Sequence, residues 1–167
     1  MAKESRLGDR LVVVGDSAIT IYTNAECVSA GFDVGGKTRI IPVSGAVFFD
    51  GRYWRRDNLG LAVEPGQTRY FGLRSRTVRF VMKVGAVRLA ASEDLIVCRL
   101  VYAKGEFGER NRRALAEAIH LSLRFEGSLD REYLEKEVRY ETVADPHAEM
   151  IRRSRRQRKG PGGRARS

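Results

Sequence analysis

Cysteine, histidine and long uncharged runs are all scarce in this sequence. Its 167 residues include two cysteines, Cys27 and Cys98, and two histidines. Two cysteines are too few for a disulfide framework or a zinc cluster. The longest uncharged stretch, residues 40–49, is much shorter than the ~18 apolar residues that a membrane-spanning helix needs. Because the N-terminus also lacks the apolar run of a secretory signal, we expect a cytoplasmic protein without membrane contact.

Acidic residues are missing from the C-terminal end, and this sets the charge distribution. Residues 152–167 hold eight of the 31 Lys and Arg residues and no Asp or Glu. The other 151 residues hold 23 basic and 21 acidic side chains, so they are nearly neutral. The net charge of +10 therefore belongs mainly to the tail, which points to a polyanionic partner.

The first hundred residues show the pattern of β-strands. Short β-branched and aromatic runs alternate with turn residues about every ten positions, which is typical of an all-β sandwich or barrel. The strongest local signal is Asp50-Gly51 between residues 47–49 and 52–54, which predicts a hairpin with a two-residue turn. Further strands are predicted at residues 11–14, 18–23, 39–43, 59–63, 68–73, 77–84, 86–90 and 95–102, with Glu93 and Asp94 in a turn.

The last third shows helical periodicity. Residues 108–125 have one broad apolar face, which we expect the sheet to cover, with Glu117 and His120 on the polar face. Residues 129–141 form a second helix with two apolar stripes, one of Leu129, Tyr133 and Tyr140 and one of Leu134 and Val138. Two stripes suit a helix with two neighbours, this domain and a second copy of the chain. The alternative is an ordinary satellite helix with some exposed apolar surface.

A third helix is predicted to begin at Asp145-Pro146, an N-cap acid followed by proline at the first helical position. It extends into the arginine-rich segment and ends at Gly160. Past Ile151 it has no apolar face, so we expect that part to be disordered alone or ordered by a partner. The predicted domains are a globular β-rich domain with C-terminal helices, residues 1–142, and an Arg-rich helix with a flexible basic tail, residues 143–167.

One segment matches a nucleotide-binding consensus. Residues 31–38, Gly-Phe-Asp-Val-Gly-Gly-Lys-Thr, resemble the Walker A motif of the P-loop nucleotide hydrolases. The resemblance implies that Lys37 reaches the β- and γ-phosphates, that Thr38 holds Mg²⁺ and that Asp50 supports the metal. That motif requires a helix beginning at the Lys-Thr pair, whereas residues 39–45 contain β-branched residues, a proline and a glycine. We therefore interpret the segment as a glycine-rich loop between strands.

Catalytic patterns are absent from the sequence. No cysteine or serine pairs by spacing with either histidine, so neither a nucleophile with its base nor a triad is indicated. We expect no enzyme activity, no cofactor and no metal site.

Clusters of basic and aromatic residues remain as candidate binding sites. In the hairpin, Trp54 shares a strand face with two arginines, an arrangement with which sheets stack and hold single-stranded nucleic acid. Arginines on both faces of residues 74–79 instead predict an edge strand, which charge protects from aggregation. The candidate nucleic-acid-binding residues are Arg52, Tyr53, Trp54, Arg55 and Arg56 in the hairpin and Arg152, Arg153, Arg155, Arg156, Arg158, Lys159, Arg164 and Arg166 in the tail.

These features predict an α+β fold, with an N-terminal antiparallel β-barrel or sandwich of about seven or more strands, two C-terminal helices and a basic tail. The predicted function is non-catalytic nucleic-acid binding, with RNA favoured and a ribonucleoprotein particle such as the ribosome as its setting. Two alternatives stay open. The protein is a scaffold subunit that forms a homo-oligomer through residues 129–141 and whose tail binds enclosed nucleic acid or an acidic partner, or it binds single-stranded DNA.

Overall fold

The computed structural model of the chain describes residues 11–24, 32–36, 48–49, 54–56, 61–65, 76–82, 85–105 and 111–159. The chain divides into two compact units, Met1–Ala91 and Ser92–Ser167, which we call the N-terminal and the C-terminal unit. The division into residues 1–142 and 143–167 is a different one and stays a prediction.

The described residues are mostly helical, with five helices and seven short strands among them. The N-terminal unit holds β1 (Leu11–Val13), α1 (Gly15–Tyr22), β2 (Phe32–Gly36), β3 (Phe48–Phe49), β4 (Trp54–Arg56), β5 (Leu61–Pro65), β6 (Thr77–Met82) and β7 (Gly85–Ala90). The C-terminal unit holds α2 (Ser92–Lys104), α3 (Arg112–Arg124), α4 (Arg131–Tyr140) and α5 (Ala144–Lys159).

The described strands form one open mixed sheet in the order β3-β4-β5-β2-β1-β7-β6. Strand β1 is parallel to β7 and β2 is parallel to β5, whereas the other pairs are antiparallel. The end strands β3 and β6 do not pair with each other, so the predicted antiparallel barrel or sandwich is wrong. Turn residues show where a strand ends, but they do not encode which distant strands pair, and the two parallel pairs are of that distant kind.

Residues 18–23, predicted as a strand, belong mainly to helix α1. The Oγ1 atoms of Thr20 and Thr23 donate to the carbonyl oxygens four residues earlier, at 2.9 and 2.8 Å, so these β-branched residues are accommodated in a helix. Gly15 begins α1 with φ 55°, a left-handed conformation that favours glycine. The Tyr22 hydroxyl donates to the Ala90 carbonyl oxygen at 2.9 Å and so ties α1 to β7. Tertiary contacts have overridden the alternating pattern here.

The predicted edge strand and the predicted hairpin have different outcomes. Strands β6 and β7 pair in antiparallel register, and β6 lies at one end of the described sheet, which confirms the predicted edge strand. Strands β3 and β4 also pair as predicted, with Phe49 opposite Trp54. That register differs from the predicted one, in which Phe49 faces Arg52, and Asp50 and Gly51 themselves lie outside the described residues.

The segment that matches the Walker A consensus contains strand β2. Phe32–Gly36 pairs with both β1 and β5, so these residues are neither the predicted loop nor a phosphate-binding loop. Lys37, Thr38 and the predicted strands at residues 39–43 and 68–73 lie outside the described residues.

Residues 95–102, predicted as a strand, form most of helix α2. Leu95, Ile96 and Leu100 are fully buried. A short, mostly apolar run has neither a clear helical nor a clear strand period, and its type is set by what covers it. Glu93 and Asp94 lie in the first turn of α2 and not in a solvent-exposed turn. The buried Glu93 side chain accepts from the Asp130 backbone N–H at 2.7 Å through its Oε1.

Helices α3 and α4 confirm the two predicted helices. Residues on α3 pack against α2 and α5, so neighbouring helices cover part of its apolar face. Glu117, predicted on the polar face, is buried and lies 3.4 Å from Arg99 Nε of α2 through its Oε2 atom. On α4, Leu134 and Val138 are buried. None of the described helices is long and apolar enough to cross a membrane.

Candidate nucleic-acid interface

A tight turn between α4 and α5 sets the position of the arginine-rich helix. The Val143 backbone N–H donates to the Val138 carbonyl oxygen at 3.0 Å, and the Thr142 N–H donates to that of Arg139 at 3.2 Å. These two bonds form a Schellman motif, which usually has glycine where this chain has Thr142. Val143 is fully buried, so the chain is held at the core where α5 begins.

Helix α5 is anchored by its inner face. Met150 and Ser154 are buried, and the Ser154 and Ser122 hydroxyls share a 3.0 Å hydrogen bond between α5 and α3. The helix therefore continues through the arginine-rich segment, which corrects the expectation that burial cannot order the chain past Ile151. The anchoring residue beyond Ile151 is Ser154, which is polar, so the pattern of apolar residues does not indicate it.

The arginines of α5 occupy different positions around the helix. At 100° per residue, Arg152 and Arg156 lie nearly opposite the buried Ser154, and Arg155 lies between Arg152 and the inner face. Arg153 flanks the other side. The five arginines at positions 152, 153, 155, 156 and 158 are all exposed.

Two of these arginines are held by acids. Arg153 pairs with Glu149 one turn earlier on α5, and Arg158 pairs with Glu126. For Arg152, Arg155 and Arg156, the described residues offer no carboxylate within ion-pair distance. We call these three residues the arginine face of α5.

The arginine face is electrostatically unfavourable by itself. Arg152 and Arg156 are four residues apart, so their Cβ atoms are about 5–6 Å from each other, and like charges at this spacing destabilise a helix by a few tenths of a kcal/mol. The C-terminal end of the helix dipole offsets part of this cost. A bound anion would remove the repulsion, and each guanidinium could grip a phosphate through two hydrogen bonds.

The other predicted binding residues are only partly placed. Lys159 ends α5, and Arg164 and Arg166 lie outside the described residues. Strand β4 fixes the backbone of Trp54, Arg55 and Arg56, but their side chains are not among those described, and Arg52 and Tyr53 lie outside. The structure thus brings together Arg152, Arg155 and Arg156.

The C-terminal unit also contains a cavity of about 300 Å³ that the sequence did not reveal. It is formed by residues of α3, α4, α5 and the segment between α3 and α4, and His147 lies in its lining. Burial lowers the pKa of His147 below its ordinary value, and the negative charge of Glu135 partly offsets that effect. One face of α5 contributes several residues to this lining, namely His147, Ile151, Ser154 and Arg158. Their helical spacing is the sequence signal that could have indicated a common lining.

Metal-binding side chains and related proteins both bear on the function of this site. Among the described residues, no group of three or more His, Cys, Asp or Glu side chains could hold a metal ion. Comparison of the chain with protein-family models, with curated proteins and with solved structures gives no match.

Proposed function

We propose that this protein is a non-catalytic nucleic-acid-binding protein of the cytoplasm and that the arginine face of α5 contacts the phosphate backbone. The observation that carries the proposal is that Arg152, Arg155 and Arg156 project from an anchored helix without a nearby acid among the described residues, whereas Arg153 and Arg158 are neutralised. A free, preorganised set of guanidinium groups suits a repeating anion.

The proposed contact is electrostatic and carries little sequence information. Arginine contacts to phosphate position a protein on nucleic acid, whereas contacts to base edges specify the sequence. Each phosphate that is neutralised releases counterions and steepens the salt dependence of binding by about 0.7 for a single strand and about 0.9 for a duplex. Three arginines should therefore contribute about 2–3 to the slope of log K against log salt.

The decisive experiment measures this slope for the full chain and for two triple variants. Arg152→Gln/Arg155→Gln/Arg156→Gln removes the arginine face. Arg112→Gln/Lys136→Gln/Arg139→Gln removes three exposed cations elsewhere in the C-terminal unit and is the matched control for net charge. Binding to a labelled single-stranded oligomer is titrated across a salt series, and circular dichroism confirms that both variants fold.

We expect the first variant to lose about 2–3 of the slope and the control to lose less than about 1. Equal losses would mean that net charge and not this face governs binding, which would contradict the proposal. Matched RNA and DNA oligomers are run in competition, because the preference for RNA and for a ribonucleoprotein setting stays a prediction from the sequence.

The predicted stacking platform on β4 has its own readout. Trp54 is the only tryptophan in the chain, so its fluorescence reports on β4 alone. If bases stack on Trp54, a saturating oligomer quenches this fluorescence, and the quenching follows the same titration curve as binding. Unchanged fluorescence at saturation would remove β4 from the proposed interface.

The scaffold alternative requires the chain to associate through residues 129–141. Within the C-terminal unit, the Tyr133 hydroxyl donates to Asp94 Oδ1 at 2.6 Å, so part of the stripe of Leu129, Tyr133 and Tyr140 already contacts α2. Tyr140 of the same stripe is 67% exposed. Sedimentation of the full chain without nucleic acid tests this alternative, and a Tyr140→Gln-sensitive oligomer would favour it over the nucleic-acid proposal.

A further inference from the structure

The cavity of the C-terminal unit has an apolar part. Leu129, Leu134, Met150 and Ile151 contribute to its lining, and they come from α4, α5 and the segment before α4. Its volume of about 300 Å³ is at the lower end of the range of small-molecule sites. Pockets of this kind combine an apolar lining with a few polar groups that orient the ligand.

The charged part of the lining is concentrated toward the C-terminal end of α5. Along this helix the lining residues run from His147 through Ile151 to Arg155 and Arg158. These positions span about 16 Å at 1.5 Å per residue. The cavity lining therefore changes along α5 from apolar residues to arginines.

The arginines of the lining differ in how they are neutralised. Glu126 pairs with Arg158 and lies 4.0 Å from Arg131 Nη2 through its Oε1 atom. Arg155 also lines the cavity, and it has no ion pair with an acid in the part of the chain that the structure describes. Two carboxylates, those of Glu126 and Glu135, and three guanidinium groups line the cavity, so a net positive charge of one lies beside the apolar lining.

From this juxtaposition we propose that the cavity binds a small anionic amphiphile, an apolar chain or ring that carries one carboxylate or phosphate group. The acid group pairs with Arg155 and contacts Arg158, and the apolar body packs on Ile151 and Met150. The charge of the acid balances the one positive charge that Glu126 and Glu135 leave on the three arginines of the lining. Removal of apolar ligand surface from water supplies the rest of the affinity.

The cavity and the arginine face of α5 share Arg155 but otherwise consist of different residues. The cavity does not include Arg152 or Arg156, and phosphates on the outer face of α5 do not need the apolar lining. A bound amphiphile neutralises Arg155 and so lowers the affinity of the arginine face for nucleic acid.

Isothermal titration calorimetry of the full chain without nucleic acid tests the proposal with three probes that share a decyl chain. We expect decanoate and decyl phosphate to bind saturably and decanol, which lacks the charge, to bind about tenfold more weakly or worse. The comparison of decanoate with decyl phosphate shows which acid the arginines prefer. Equal binding of all three probes, or no saturable binding of any, would overturn the proposal.

Two variants locate the bound probe. Arg155→Gln should weaken decanoate binding about tenfold or more, whereas Arg152→Gln, on the same helix but outside the cavity, should leave it within about twofold. Ile151→Gln should weaken decanoate and decanol alike, because it makes the apolar part polar, and Ile151 is exposed enough for the fold to tolerate the change. If binding is insensitive to both Arg155→Gln and Ile151→Gln, the probe is not in this cavity.

The same variants separate this proposal from the nucleic-acid proposal. Arg152→Gln should weaken nucleic-acid binding and leave decanoate binding intact, whereas Ile151→Gln should do the reverse. Loss of one activity without the other therefore identifies which proposal has failed.

Discussion

The buried ion pair between Arg99 and Glu117 is the clearest feature at the scale of single residues. The two side chains are only 10% and 9% exposed, and Arg99 Nε lies 3.4 Å from Glu117 Oε2. Glu117 Oε1 accepts from Arg113 Nε at 2.8 Å, and the Arg99 guanidinium lies 5.5 Å from the centre of the Tyr102 ring. A buried cation among apolar helices depends on its carboxylate partner.

Removal of that partner should destabilise the protein strongly. We predict that Glu117→Gln lowers the free energy of unfolding by about 3–5 kcal/mol, because it removes a buried carboxylate that pairs with the Arg99 guanidinium. Arg113→Gln, which removes only an exposed partner of the same carboxylate, should cost less than about 1 kcal/mol. Urea denaturation measures both, and similar losses for the two variants would contradict the role given to burial.

A variant that removes both charges tests the net contribution of the ion pair to stability. The double variant Arg99→Met/Glu117→Met should recover most of the stability lost in Glu117→Gln, since replacing a buried pair by apolar residues is often neutral. A double variant that stays as unstable as Glu117→Gln would show that the pair is worth more than its desolvation cost.

His147 links stability to pH. Burial lowers its folded-state pKa, whereas in the unfolded chain it titrates near its ordinary value of about 6.5. Between these two values the unfolded state binds more protons, so the free energy of unfolding rises with pH. The stability contribution of neutral His147 is present above pH 6.5 and is lost as the pH falls through the folded-state pKa.

We therefore predict that the melting temperature falls between pH 7 and pH 5.5 more steeply in the natural chain than in His147→Asn. Thermal unfolding followed by circular dichroism at several pH values measures this difference. A His147→Asn profile that parallels the natural one would assign the dependence to other groups.

At the scale of elements, the connection between α4 and α5 contains an unusual backbone conformation. Thr142 has φ 56°, in the left-handed region that β-branched residues rarely adopt. Lys104 Nζ donates to both the carbonyl oxygen and Oγ1 of Thr142, at 3.2 and 3.1 Å, so α2 supports this conformation. Because these two hydrogen bonds are exposed to solvent, they contribute little to the free energy of unfolding.

Replacing this residue by glycine should stabilise the protein. The left-handed conformation costs a non-glycine residue about 1–2 kcal/mol, so we predict that Thr142→Gly raises the free energy of unfolding by about 0.5–1 kcal/mol after the entropy cost of glycine. Chemical denaturation gives the value. Thr142→Val keeps the branched side chain without the hydroxyl and should be no more stable than the natural chain. A destabilised Thr142→Gly would indicate that the Lys104 contact outweighs the strain.

At the scale of the whole molecule, the division of the chain after Ala91 predicts that the C-terminal unit folds on its own. The C-terminal unit contains its own buried residues, among them Leu100 of α2, Leu121 of α3 and Val143, all fully buried. We predict that a fragment of residues 92–167 folds cooperatively with a free energy of unfolding of a few kcal/mol, as marginal stability per residue implies. A single sigmoidal urea transition confirms this, and a fragment without a cooperative transition contradicts it.

The candidate site was predictable to the extent that it depends on local sequence. The arginine-rich run, the helix near Asp145-Pro146 and the absence of acids after Ile151 are all visible in the sequence. The sequence did not show that Glu149 and Glu126 neutralise two of the arginines. The second acid lies far from its partner in the chain, and the helical anchor is the small polar residue Ser154.

The fold likewise combines features that the local sequence predicts with features that depend on distant contacts. Strands β6 and β7 and helices α3 and α4 were predicted because their periodicity and turn residues are local properties. Residues 18–22 and 95–102 became helices against expectation, since Tyr22 contacts Ala90 and most residues of α2 are buried by tertiary contacts. Charge, edge strand and amphipathic helices were thus determined by the sequence itself. The type of the buried apolar runs, the open mixed sheet and the cavity depended on long-range packing, because burial and strand pairing are contacts between residues far apart in the chain.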